Sequence, residues 1–175
     1  MANVDNARGL HPIRGSNGGE PRMRVYKANV TTDIFQGDVV EMLATGTVKS
    51  IVTTTGSATA IGVAANRVDA SIQATSQDVL VYDDPDQEFE VQDDGEAATP
   101  SQAVVGATFA LILTTGNTTT GMSKHEIDAS AAGVSATDAV LVQGFKLGPS
   151  FSIGKYATHI VRLNQHLYRT GSAGI

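Results

Sequence analysis

From Met23 onward, short apolar segments recur at close spacing, each closed by a cluster of turn-forming residues. RMRVYKANV, IFQGDVVEML, GTVKSIVTT, ATAIGVAANRV, DVLVYDD and QEFEVQDD follow one another through residues 22–94. Several alternate with the period of two that a half-buried strand requires, and turn signals bound them. Turns are expected at residues 31–33, 44–46 and 55–57. Asp84–Pro85–Asp86 supplies another between two strands. Gly62, inside ATAIGVAANRV, marks a bend or a close approach of backbone.

The rest of the chain continues in kind. ATFALILTT, VLVQGFKLG and YATHIVRLNQHLY read as strands, whereas residues 114–139 carry turn residues and little pattern. ATPSQAVVG suits one short helix, with Thr99 as N-cap, Pro100 at its first position and Gln102 three residues after the cap. Thr, Ser, Val and Ala dominate the middle of the chain in place of the Leu, Glu and Lys that fill helices. The expected fold is mainly β: a single β-sandwich or barrel-like domain over residues 22–175, with at most one or two short helices. At 175 residues the chain is long enough to bury a substantial core.

Residues 1–21 read differently. ARGLHPIRGSNGGEP holds four glycines and two prolines and has neither apolar period. Its composition suits either a disordered terminus or an extended arm that orders against a partner, the arm having Leu10 and Ile13 as apolar anchors and Arg8, His11 and Arg14 as polar contacts. The opening lacks the apolar core of a secretory signal. No stretch approaches the roughly 18 apolar residues of a membrane span. A protein folded in cytoplasm and away from membranes is therefore expected.

The composition excludes several chemistries. There is no cysteine, which removes disulfides, thiolate metal sites and a cysteine nucleophile. A formal net charge of −6 argues against nucleic acid as a partner.

The most distinctive stretch is VLVYDDPDQEFEVQDDGE. Nine of the 18 acidic residues fall between Asp78 and Glu96, with no Lys or Arg among them. As a calcium loop it fails. Asp84, Asp86 and Glu88 occupy the first alternate ligand positions, but Phe89 stands where glycine is needed and Gly95 where the bidentate glutamate belongs. As paired catalytic carboxylates it is no better, because Glu88 and Glu90 share one open strand face and leave Phe89 and Val91 to the core. Asp83, Asp84, Asp86, Glu88, Glu90, Asp93 and Asp94 are accordingly expected to form a solvated or inter-subunit acidic face.

GPSFSIGKY misses a phosphate loop by one residue of spacing and by Tyr156 in place of the hydroxyl ligand. His159 and His166, seven apart, fall on opposite faces of a continuous strand, and His125–Glu126–Asp128 reads as polar loop. Nothing marks a nucleophile for a Ser-His-Asp triad. The reading is of no catalytic residues, no metal and no cofactor.

Charge is segregated along the chain. Residues 1–27 carry five basic residues against Asp5 and Glu20, and residues 146–169 hold Lys146, Lys155, Arg162 and Arg169 with no acid. A basic start, an acidic middle and a basic final hairpin suit contacts between copies or with a charged partner.

ANVDNARGLHPIRG, GDVVEM with GTV, AIGVAANRV, VYDDPDQEFEVQ and HIVRLNQHLY together resemble the head decoration, or capsid cement, proteins of tailed bacteriophages. That resemblance implies a non-enzymatic virion protein on the outer capsid surface, clamping neighbouring major capsid proteins. It further implies a homotrimer, with a dimer as the other option, and terminal arms that reach the capsid protein. It supplies no catalytic or ligand residues. Two other readings stay open: a different virion structural protein of the head, tail or fibre, and a calcium-binding or carbohydrate-binding β module. The absence of Trp and the presence of only four Tyr count against a sugar platform.

Overall fold

A computed structural model describes residues 3–15, 18–51, 60–72, 77–96, 101–130, 133–169 and 171. In chain order the strands are β1 (His11–Arg14), β2 (Met23–Lys27), β3 (Val39–Met42), β4 (Val48–Ser50), β5 (Ala60–Ala64) and β6 (Asp78–Tyr82). They continue with β7 (Glu88–Gln92), β8 (Thr108–Phe109), β9 (Leu111–Thr114), β10 (Lys124–Ile127), β11 (Val140–Phe145) and β12 (Thr158–Leu163). One five-stranded sheet has the order β1-β7-β12-β11-β8, a second β2-β6-β5-β3-β4, and β9 pairs with β10 apart from both. All strand pairs are antiparallel. The two large sheets pack against one another as a sandwich. The mainly β expectation therefore holds.

Two apolar clusters fill it. The larger joins Phe89 and Val91 of β7 and Val161 and Leu163 of β12 to Val39 of β3 and Val63 of β5, between the large sheets. The smaller, around Ile34, Val48, Ile61, Val68, Val79 and Val81, lies against the other face of the second sheet. Ile61 and Val63 serve different clusters although two residues apart, a switch that strict alternation forbids. Gly62 between them has φ +154°, and a Cβ there would stand 2.1 Å from the Tyr82 carbonyl oxygen. The close backbone approach expected at Gly62 is present.

The second sheet curls until its rims meet. Ala28, just past β2, forms a parallel bridge with Val48 of β4, and Asn29 N donates to Val48 O at 2.7 Å. Four local expectations change. ATFALILTT is split at Ala110 into β8 and β9, which belong to different sheets. Residues 114–139 contain a strand, β10, whose pairing with β9 rather than its own pattern defines it. The only helical turn among the described residues is a 3-10 turn at Gln102–Val104, where Ser101 Oγ accepts from Ala103 N. Thr99 and Pro100 lie outside the described residues, as do residues 55–57. The last long segment stops as a strand at Leu163.

The N-terminal segment is part of the domain. Leu10 is 1% exposed, inside the larger cluster, and its N–H donates to Gly37 O at 3.0 Å. Gly9, at φ +74°, allows this: a Cβ there would meet Gly37 O and Ser123 Cβ at 2.5 Å. β1 then pairs with β7, His11 opposite Glu90 and Pro12 opposite Phe89. The boundary expected at residue 21 is thus not where the packing divides.

Candidate functional site

The pairing of β1 with β7 brings the two sequence-selected regions together, the N-terminal segment and the acidic stretch. β12 flanks β7 on its other side, so the acidic strand lies between the two basic segments of the chain. Arg14 Nε meets Glu88 Oε2 at 2.9 Å, and Lys146 Nζ meets Glu90 Oε2 at 2.7 Å. Asp86 pairs with Arg169 and, at 3.9 Å, with Arg162. The charge segregation of the sequence is folded onto itself. Each of these pairs is partly exposed and contributes about 1 kcal/mol or less, so together they set register more than stability.

Two of the acids are not surface groups at all. Asp93 is fully buried: Oδ1 accepts from Gly95 N at 2.9 Å and Tyr156 N at 2.8 Å, while Oδ2 lies 3.0 Å from His159 Nε2. Tyr156, the one described non-glycine residue with positive φ (56°), is held by this bond. Asp83 is equally buried and accepts from Tyr26 Oη at 2.7 Å, with Arg24 Nε at 3.2 Å and Arg22 Nη2 at 4.0 Å. Burial first, then hydrogen bonding to Asp83 and Tyr168, pushes the Tyr26 phenol well above its ordinary range. Asp94 is half-buried and its Oδ1 accepts from Ala129 N. Asp84 holds the turn, where its Oδ1 accepts from Asp86 N at 2.9 Å and its carbonyl from Gln87 N at 3.1 Å. The continuous solvated acidic face is therefore corrected: Asp83 and Asp93 are internal cross-links, and Glu88 and Glu90 are paired. Phe89 and Val91 are core, as expected.

The expected anchors divide similarly. Leu10 cannot anchor a partner, because it is already in this protein's core. Ile13 is exposed on β1, and Arg8 remains on the surface, while Arg14 is engaged with Glu88. His11 is half-buried beside Glu90, and burial lowers its pKa.

Residues 3–9 cross the edge of the first sheet as a strap. Gln92 secures them: its Oε1 accepts from Asn6 N at 2.7 Å, and its Nε2 donates to Val4 O at 2.8 Å. Asn3 is tied to the loop after β11 through Ser152 N and O. Between strap and loop lies a cleft of about 490 Å³ whose walls include His11, Glu90, Lys146, Phe151 and Tyr156. Its charged pair is spent internally, and Lys146 Nζ also sits 4.5 Å from the centre of the Phe151 ring.

His125 and Glu126 fall on β10, not on a loop. His125 is buried, its Nδ1 accepts from Val39 N at 3.3 Å, and its Nε2 lies 3.4 Å from Asp38 Oδ1. Burial lowers its pKa. Ser123 Oγ accepts the His125 backbone N–H, so this serine serves the backbone. Among the described residues no group of three or more His, Asp or Glu side chains is placed to hold a metal ion.

Glu126, on the opposite face of β10, has its pKa raised to about 7, chiefly by burial and then by Asp5, Asp94 and Asp93. A folded-state pKa above the unfolded one means stability is fully present below the unfolded pKa and is lost as pH rises through about 7. Glu126→Gln is therefore expected to exceed wild type in stability at pH 8, with the gap closing by pH 4. Urea midpoints of both proteins across that range provide the check, and titration of the histidines is common to both.

Sequence reasoning missed one surface. Met23, Val25 and Leu80 are 45%, 61% and 38% exposed, with Val25 directly opposite Leu80 on β6. The alternation in RMRVYK is visible, but which of its two faces meets the core is not. The inward-facing residue is Tyr26, packed against the smaller cluster.

No family model, curated protein or solved structure matches this chain.

Proposed function

We propose that this is a non-enzymatic structural protein that docks on a larger protein assembly, as the head decoration proteins of tailed bacteriophages do. The observation that carries the reading is the exposed apolar stripe of Met23, Val25 and Leu80, on a protein whose acidic strand is already paired internally. A contiguous apolar patch rimmed by charge is what a protein–protein contact uses. The β-sandwich and the resemblance in sequence layout support the same reading. The partner is the major capsid protein, bound at the outer face of the head, and the protein acts as a homotrimer, with a dimer as the other option.

In that role affinity comes from number. Each joint is weak, and several joints per oligomer act together once the first has formed. The stripe supplies the apolar contact first assigned to Leu10, and Ile13 remains available at the rim of the other sheet.

The test is sedimentation of purified protein with expanded capsids that lack it, followed by cryo-electron microscopy of the pellet. Ordered density at repeated positions on the outer lattice is expected. Failure to co-sediment, or density confined to the tail vertex, would sink the decoration reading. The second result would favour another virion role.

A further inference from the structure

We infer that the rim strand β2 is an acceptor for an extended partner strand in which apolar residues alternate with acidic ones. The inference rests on the reading that this protein docks on another, and it specifies the chemistry of the docked segment.

Ala28 N donates to Gln77 O at 2.8 Å, whereas Asn29 N donates in the other direction, to Val48 O of β4 at 2.7 Å. Successive residues of a strand send their backbone groups to opposite sides. Arg24, Tyr26 and Ala28 therefore bond toward β6, and Met23, Val25, Lys27 and Asn29 present their N–H and C=O groups outward. At Asn29 the outward side is closed by β4. Before Val48 the chain turns back, with Leu43 N bonded to Thr47 O and Gly46 N to Leu43 O. The seam between the rims consequently opens along the first part of β2. The bridge of Ala28 with Val48 also engages the Lys27 carbonyl, so among the described residues the open outward groups are those of Met23 and Val25.

Rim strands left this way are templates for strand addition, and proteins usually blunt them with proline, bulges or short length. Here β2 has five residues in unbroken register with β6 and contains no proline. By contrast β1, the rim of the other sheet, contains Pro12 and a register shift beside it.

Side chains define the partner. A strand added to β2 would extend both faces of the sheet. On one face its residues would lie beside Met23 and Val25, with Leu80 behind Val25, which calls for apolar side chains. On the other they would lie beside Arg22 and Arg24. These two arginines share the single carboxylate Asp83 and leave a surplus positive charge, and their side chains are 60% and 52% exposed. That face calls for acidic side chains. The same surplus argues against a second copy as occupant, because antiparallel pairing of β2 with itself would bring arginines together.

The test uses a capped peptide of about seven residues alternating valine and glutamate, long enough to span the strand. Its control replaces glutamate with lysine. Binding is followed by amide NMR of the full chain. The Lys27 and Leu80 amides are expected to shift saturably, with a Kd on the order of 1 mM, and the lysine peptide should bind at least about tenfold more weakly. Val25→Pro removes only an outward donor and leaves the bonds to β6 in place. It should weaken binding by about tenfold or more. Val25→Glu, at an exposed position that does not disturb the fold, should do the same and covers the case in which the proline variant unfolds.

Absence of saturable shifts, equal binding of the two peptides, or full binding by Val25→Glu overturns the inference. Self-association of the free protein that Val25→Pro abolishes would also overturn it, by making a second copy the occupant. Co-sedimentation with capsids separates the two readings. Capsid binding without peptide binding removes the acceptor strand alone, and peptide binding without capsid binding removes the decoration reading alone.

Discussion

A chain beginning at residue 15 is expected to lose its cooperative folding transition, or to keep it at a much lower urea midpoint. Truncation removes Leu10 from the main cluster, the β1 ladder along β7 and the strap held by Gln92. Emptying the Leu10 site alone, as Leu10→Ala, should cost about 2–5 kcal/mol, and a domain of this size has only about 5–15 kcal/mol to lose. β7 would also become a rim strand, with one side of Glu88, Phe89 and Glu90 opened to water. A truncated protein that unfolds with the wild-type midpoint would restore the detachable arm that the composition of residues 1–21 suggests. Circular dichroism during urea titration of the truncated chain, Leu10→Ala and wild type is sufficient to decide.

Asp93→Ala should be the most damaging substitution in the acidic stretch, at about 3–5 kcal/mol. It leaves the Gly95 and Tyr156 amides without their acceptor and His159 without its buried partner, and it frees Tyr156 from the bond that holds its positive φ. Glu88→Ala, which removes one exposed ion pair with Arg14, should cost about 1 kcal/mol or less. The contrast matters more than either value. Equal, small effects at both positions would mean that the acidic stretch is a solvated face after all. Urea denaturation of the two variants beside wild type reads the difference directly.

Much of the fold is legible without coordinates, for reasons that are local. QEFEVQ shows both its strand and its inward face, because Phe89 and Val91 alternate with charge. The turn at Asp84–Pro85–Asp86 follows from residues whose own side chains and fixed dihedral favour it. Gly62 is readable as a close approach because no other residue tolerates one. Where local signal is weak, reading fails. β10 lies in a stretch without alternation and is a strand because β9 runs beside it. Ala110 divides ATFALILTT because its two halves join different sheets, which no propensity records.

The candidate surface was less legible than the fold. The sequence marks charge but not its partner, so a basic start and an acidic middle look like surfaces awaiting another molecule until β1 is found beside β7. It marks the period of RMRVYK but not its phase relative to the core. β2 and β6 overhang the sandwich, and the face that is buried at Val63 of β5 is exposed at Val25.

By itself, the sequence determined a mainly β chain without cysteine chemistry, with Phe89 and Val91 in the core and a turn between β6 and β7. These follow from side-chain periodicity and turn chemistry, which act over a few residues. Only the tertiary structure decided that Leu10 is core, that Asp83 and Asp93 are buried cross-links, and that Met23 and Val25 face water. Each of these depends on which strands become neighbours and where one sheet ends over the other. Such pairings are fixed by long-range burial and hydrogen bonding, and adjacent residues in the chain carry no record of them.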